Sequence, residues 1–392
     1  MGVPRVEIGF RSGADRTNSG SGMVLNKAGE ASGRIVLHEE AFVSMLYLER
    51  RRAERAQKRF VLMLVDVKRA TEDGQRNRIL SKITHALLSV TRETDIVGWY
   101  LEDHLIGVLG TEIGKAKPKA VQTRMLEKIK AAFIKNLPQE RISQITVSFH
   151  FFPEEWESED TDHSANITLY PDLSRKEESR KLALGLKRVM DVAGSAMALL
   201  TFSPVFAAIA VAIKLTSKGP VLFKQERLGQ FGRAFTVLKF RSMRTDCDAR
   251  IHQEYVSQFI AGQVADEAQP QDKPVYKIQK DPRVTKLGRF LRKTSLDELP
   301  QFWNVLVGEM SLVGPRPPVA YEFKAYDLWH RRRVLEIKPG ITGLWQVEGR
   351  SRTRFDDMVR LDLKYARAWS LWLDVKILLQ TPAAVLTGDG AH

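Results

Sequence analysis

The sequence predicts two units: an α/β sandwich in the N-terminal half and a mainly helical, membrane-associated unit in the C-terminal half. Three observations carry this reading. Strand and helix patterns between residues 39 and 152 follow the order β-α-β-β-α-β. The 22 residues from Val192 to Ile213 carry no charge and are broken near the middle by Ser203-Pro204. Downstream, Ser295–Pro317 sets two adjacent acids, Asp297 and Glu298, among cations and a near-continuous apolar run.

Composition narrows the classes. The chain has 392 residues, enough for two or three domains, and a formal net charge of +14. That charge predicts an anionic partner: nucleic acid, acidic lipid headgroups or phosphorylated substrates. A single cysteine, Cys247, excludes an intrachain disulfide, and the eight dispersed histidines show no zinc-ligand spacing. Specific nucleic-acid binding is not expected, because no recognition helix or zinc module is present and the cations sit beside the hydrophobic run.

The opening MGVPRVEIGFRSGADRTNSGSG is polar and Gly/Ser-rich, which argues against a secretory signal and predicts a flexible tail over residues 1–30. The sandwich occupies residues 31–152. Glu39 to Arg59 suits a helix, and RFVLMLVDV (Arg59–Val67) is a strand by its branched content. Ile79–Asp95 has helical periodicity, and IVGWYLEDHLIGVLGT is a hairpin around a polar turn at Glu102–His104. A basic amphipathic helix covers Lys119–Lys135, and ISQITVSFHFFP returns to strand. The order is ferredoxin-like.

Residues 58–152 resemble the catalytic domain of diguanylate cyclases. Asp66 falls where such enzymes place a first metal-binding acid. The turn, however, reads Leu101-Glu102-Asp103-His104-Leu105 and lacks both glycines that let a nucleotide lie against it. The resemblance therefore implies a degenerate, noncatalytic domain in which Asp66 and Glu102 are plain surface acids. Regulator binding, a homodimer surface and folding support are the roles open to it. Residues 153–180, acidic then mixed, read as a linker with one short strand at Ile167–Tyr170.

The unit from 181 to 392 opens on a hydrophobic hairpin over residues 189–213. A straight helix of the uncharged length would measure about 33 Å, enough to span a bilayer. Pro204 removes an intrahelical hydrogen bond and forces a bend. Cations flank both ends, Lys181, Lys187 and Arg188 before and Lys214 and Lys218 after, whereas a spanning helix keeps its excess on one side. A re-entrant helix–break–helix is expected ahead of a spanning helix or a buried soluble hairpin, with Ser203 as partner for freed backbone groups. The tail, Ala366–Leu386, with Trp369 and Trp372 near its start, suits an interfacial helix and an ordinary core helix equally.

Lys239, Arg241 and Arg244 crowd six residues, and the first two share one side of an extended strand, where cations suit a diphosphate. Alone, that motif reads better as a solvated basic strand. Arg283, Arg289, Arg292 and Lys293 then precede the acidic pair, and Arg316 follows it. Thr294 or Ser295 can cap a helix whose first turn holds Asp297 and Glu298, with Pro300 tolerated there. Capping leaves the neighbouring cations unexplained. Cations keep an Asp ionised and suit phosphate oxygens, and a carboxylate so placed can attack phosphorus. A Mg2+ ion would bridge carboxylate and phosphate.

KFRSM (Lys239–Met243), the long run from Asp281 to Pro318, and KPGITGLWQVEGR (Lys338–Arg350) together resemble the bacterial sugar transferase family, the monotopic phosphoglycosyl transferases. The resemblance covers residues 181–385, and the Ser203-Pro204 break is a feature of the same family. It implies transfer of a sugar 1-phosphate from a nucleotide diphosphate sugar, commonly a UDP-sugar, to polyprenyl (undecaprenyl) phosphate. It also implies a seat on the cytoplasmic face of the bacterial inner membrane, against anionic lipids, and a role in starting capsule, exopolysaccharide or glycan synthesis. Asp297 falls at the family's nucleophile, with Glu298 orienting or ionising the reacting groups and both acids available to Mg2+. Phosphate or nucleotide contacts fall at Lys239, Arg241, Arg292, Arg316 and Arg350. The departure is N-terminal, where larger members often begin with several membrane helices. The competing reading is a membrane-associated, nucleotide-sensing regulatory or scaffold protein without transferase activity.

Overall fold

The computed structural model describes residues 34–71, 76–111, 113–114, 116–153, 166–244, 250–260, 283–348 and 354–386. Strands β1 (Phe60–Asp66), β2 (Ile96–Leu101), β3 (Leu105–Gly110) and β4 (Thr146–Phe152) form an antiparallel sheet in the order β2-β3-β1-β4. Period-two alternation divides the central strand between two cores. Met63, Val65 and Val67 face helices α2 (Arg76–Val90) and α3 (Pro118–Asn136), while Phe60, Leu62 and Leu64 face α1 (Glu39–Ala56). Burial on both faces is why the strand reads as a continuous apolar run. The ferredoxin-like arrangement expected from the pattern is the one that forms. Its hairpin turn is closed by its own domain: Glu39 Oε2 accepts the Glu102 N–H at 2.7 Å, and Arg76 pairs with Asp103 at 3.1 Å.

The strand expected at Ile167–Tyr170 is instead a 3-10 turn, Ile167–Leu169, because Asn166 accepts the Thr168 N–H and closes the chain locally. A helix, Pro171–Ser179, follows within the segment read as linker. Leu169, Tyr170 and Leu173 then join Leu335 of the C-terminal half in the core beneath α1. Ionic contacts cross the same boundary. Arg50 donates to Leu169 O at 2.6 Å and pairs with Asp172 at 2.9 Å, and Arg332 lies 3.9 Å from Glu54.

Two helical arms, Lys181–Thr201 and Ser203–Thr216, meet at 58°. Among the described residues no single helix is long and apolar enough to cross a membrane, whereas this bent pair has the length and composition together. Pro204 lacks the N–H that would have bonded the Leu200 carbonyl. The Ser203 hydroxyl donates to that same carbonyl at 2.8 Å, so the break leaves it satisfied. Leu182, Val189, Met197, Leu200, Val211 and Leu215 remain exposed along the arms.

Two flanking cations are used inward, not at a headgroup surface. Lys187 is buried, bonding Asp374 Oδ2 at 2.6 Å and Val313 O at 3.1 Å. Arg188 donates to Val305 O at 2.7 Å and Leu306 O at 2.8 Å, capping the orphan carbonyls of the helix Gln301–Val307. The tail divides likewise. Trp369 is buried with its indole N–H on Asp374 at 3.1 Å, while Trp372 is 73% exposed. The core reading therefore holds for the first tryptophan. The remaining framework is an antiparallel hairpin, β5 (Leu222–Leu228) and β6 (Ala234–Phe240), and a short parallel pair, β7 (Ser311–Val313) and β8 (Gly340–Thr342).

Candidate active site

The approach to the acidic pair is built from backbone contacts. The helix Lys286–Lys293 is capped by Thr285, whose hydroxyl accepts the Gly288 N–H at 2.9 Å. Thr285 N–H donates to Ser242 O at 3.1 Å, and Met243 bridges Val284, so the KFRSM run is stitched to the start of this helix. Gly288 lies directly on the Ser242 carbonyl, where any Cβ would overlap backbone atoms.

After the helix, Ser295 adopts the left-handed conformation at φ 55°, sparsely populated for a residue with a side chain. The chain turns there into a 3-10 turn, Leu296–Glu298, which holds both acids. The capping expectation is corrected at this point. Thr294 bonds back to Phe290 O at 2.9 Å, Ser295 makes no side-chain cap, and Pro300 itself is the cap residue of the next helix. The left-handed residue ends the helical path before the acids and gives them a turn of their own. Leu296 and Leu299 pack on a cluster of Ile209, Ile213, Phe240 and Leu291, seating the turn against the base of the second arm.

Lys239, near the end of β6, reaches this turn: its Nζ lies 2.8 Å from Glu298 Oε1. Burial pushes the Lys239 ammonium down, Glu298 draws it back up, Arg316 and Arg227 push it down again, and Asp297 draws it up. The predicted Glu298, Arg316 and Asp297, together with Arg227, thus act on one ammonium group. Arg316 follows β7 in the loop Gly314–Pro318. Strand β5 holds that loop, with Arg227 donating to Pro317 O at 2.6 Å and Leu228 N–H to Pro318 O at 2.9 Å. Arg227 escaped the sequence reading, since its partner stands ninety residues away and is a carbonyl with no sequence signature. The one local signal was a charged residue beside the apolar end of β5.

The other predicted cations are placed differently. Arg241 is buried and donates to Ser217 O at 2.9 Å, Ser217 Oγ at 2.7 Å and Lys218 O at 2.8 Å, which clamps the end of the second arm. Arg292 is half-buried in the last turn before Ser295. Arg350 lies outside the described residues. Among the described residues no group of three His, Cys, Asp or Glu could hold a metal. Mg2+ typically takes one or two carboxylates plus substrate phosphates. Asp297 and Glu298, adjacent hard oxygen donors beside phosphate-suited cations, fit that requirement.

The family model described as bacterial sugar transferase matches residues 182–388. The chain is 45% identical over 206 residues to galactosyl transferase CpsE of Streptococcus agalactiae, covering 52% of this chain and 43% of that protein. It is 42% identical over 210 residues to undecaprenyl-phosphate galactose phosphotransferase of Salmonella typhimurium, covering 53% of this chain and 42% of that protein. With the exopolysaccharide production protein ExoY of Rhizobium meliloti it shares 40% over 206 residues, 53% of this chain and 88% of that protein. The chain thus spans less than half the length of the first two of these relatives. A crystal structure of a DGC protein from Thermotoga maritima aligns with 30% of this chain and 83% of its own, at 22% identity and a TM-score of 0.24.

Proposed function

The chain belongs to the bacterial sugar transferase family, and from that premise we propose that it transfers a sugar 1-phosphate from a UDP-sugar to polyprenyl phosphate through Asp297. The observation that carries the reading is the Lys239–Glu298 contact at 2.8 Å, with Asp297, Arg316 and Arg227 acting on the same ammonium. Relatives named for galactose transfer and for undecaprenyl phosphate support the substrate classes.

In this scheme an Asp297 carboxylate oxygen attacks the β-phosphorus of the UDP-sugar. The bond from that phosphorus to the bridging oxygen breaks, and its electron pair leaves with UMP. A phosphate oxygen of polyprenyl phosphate then attacks the same phosphorus, returns Asp297 as carboxylate and carries off the sugar as a polyprenyl diphosphate. Neither displacement requires a net proton. Lys239, Arg292 and Arg316 offset phosphate charge, and Arg350 completes the proposed phosphate or nucleotide contacts. Glu298 holds Lys239 toward the reacting phosphate. Asp297 and Glu298 would hold Mg2+, which when bound lowers the repulsion between carboxylate and diphosphate.

The bent arms enter and leave one leaflet in this reading, from the cytoplasmic face of the inner membrane. Their exposed apolar side chains and the satisfied Leu200 carbonyl support it. Lys181, Lys214 and Lys218 remain as the flanking cations at the two ends. The N-terminal domain is a noncatalytic addition, with homodimerisation as a further proposal.

The test measures UMP release from a panel of UDP-sugars with polyprenyl phosphate. Asp297→Asn is expected to abolish turnover while the protein stays folded and membrane-bound. Radiolabelled UDP-sugar without acceptor should label the wild type and not the variant. Turnover by Asp297→Asn would sink the assignment, and no label on the wild type would indicate direct displacement.

A further inference from the structure

Asn304 lies in the helix that follows the acidic pair and is 1% exposed. Its amide is engaged on both ends. Nδ2 donates to Thr236 O at 2.7 Å and to Glu309 Oε2 at 2.7 Å, and Oδ1 accepts the Leu238 N–H at 3.1 Å. Reversing the amide would set its N–H groups against the Leu238 N–H, so the network fixes the orientation. The Asn304 carbonyl also accepts from Gly308, Glu309 and Met310, closing the helix end.

Among the described residues strand β6 pairs only with β5, in a two-stranded sheet. The Thr236 carbonyl and Leu238 N–H therefore lie on an edge with no neighbouring strand. Asn304 answers both, as the peptide group of a third strand would, and so ties β6 to the helix with a defined register. An apolar residue of equal volume could fill the space, but it would leave two backbone groups to be satisfied elsewhere. Lys239 is the next residue along β6, and Glu298 lies just before the helix. The amide thus sits on the short path that fixes their separation.

We propose that Asn304 is a positioning residue for phosphosugar transfer, holding β6 against the helix so that Lys239 meets Glu298 beside Asp297; this rests on the transferase reading. Full-length protein in nanodiscs, with polyprenyl phosphate and a UDP-sugar panel, is compared with Asn304→Ala by UMP release. A kcat lower by about 100-fold with KM for the UDP-sugar unchanged is expected, the scale of a small misplacement of reacting groups. In parallel, an amine-acylating reagent read by mass spectrometry should modify Lys239 faster in the variant, because the ammonium loses its fixed carboxylate. If Asn304→Ala does not fold, Asn304→Ser, which keeps one hydroxyl but cannot serve both the Thr236 carbonyl and the Leu238 N–H, is expected to show the same two changes in smaller measure. Undiminished kcat in the folded variant overturns this proposal alone. A lost kcat with unchanged Lys239 reactivity also overturns it, because the loss then arises elsewhere. A wild type that releases UMP from no UDP-sugar overturns the transferase reading, and this inference with it.

Discussion

The two halves of the molecule solve burial in opposite ways. In the N-terminal domain β1 is paired on both edges and its side chains are apolar on both faces, so the sheet fixes itself by ladder and period. In the C-terminal half the strands β7 and β8 are three residues each, and the interior holds Lys187, Asp191, Arg227, Asn304, Arg333, Asp362 and Asp374. Those polar and charged groups brace irregular chain. Asp191 accepts Ser311 Oγ at 3.0 Å and Leu312 N–H at 2.9 Å, and Asp374 gathers Lys187, Tyr365 and Trp369. A site made of turns cannot borrow order from a long ladder, so directional bonds to carbonyls and N–H groups supply it.

The sharpest way to break this contrast is Asp374→Ala. It leaves Lys187 buried without its carboxylate, and a loss of about 3–5 kcal/mol is expected. Chemical denaturation should show the C-terminal half melting early, ahead of the sheet domain. A single unshifted transition would mean the ionic brace is dispensable. Next, Leu62→Ala removes a fully buried side chain from β1, at a cost of about 3 kcal/mol. UMP turnover measured where the variant is folded should be unchanged, and a lost kcat there would show that the sheet does share the site's work.

The smallest effect probes the joint between the halves. Burial holds the Glu54 carboxyl up at about 7, against an ordinary 4.5, while Arg50 and Arg51 pull it down. The folded state then keeps a proton that the unfolded chain has released. The contribution of Glu54 to stability is fully present below about pH 4.5 and is lost as pH rises through 7. Glu54→Gln should remove a slope of up to about 1.4 kcal/mol per pH unit across that window. Denaturant midpoints with equal pH dependence in both proteins would refute this.

Legibility in the sequence follows the same division. The sheet, its helices and its hairpin turn were readable because periodicity is local, and the Ser203-Pro204 break was readable because proline acts on its own backbone. Asp297, Glu298, Lys239 and Arg316 stood out by chemical type; Glu298 contacts Lys239, and the charges of Asp297 and Arg316 act on the same ammonium. Arg227, Asn304 and the inward roles of Lys187 and Arg188 were not readable. Each acts on a carbonyl, N–H or carboxylate remote in the chain, and the amino-acid alphabet does not mark which backbone groups go unpaired. Arg241 looked like a phosphate ligand because a clamp on Ser217 and Lys218 uses the same side chain that a diphosphate would. Ser295 hid its turn, because nothing in a serine announces a left-handed backbone.

Gly288 rests its backbone on that of Ser242, and the consequence concerns mutational tolerance. The carbonyl at 242 belongs to every amino acid, so the contact places no demand on the identity of that residue. The hydrogen at 288 belongs to glycine alone, so its side of the same contact admits no replacement. A survey of substitutions would rank position 288 beside the acids, although it meets no reacting atom, and would pass over the partner that makes it indispensable. Intolerance at one end of a contact and indifference at the other is the signature of a spacing constraint, distinct from chemistry.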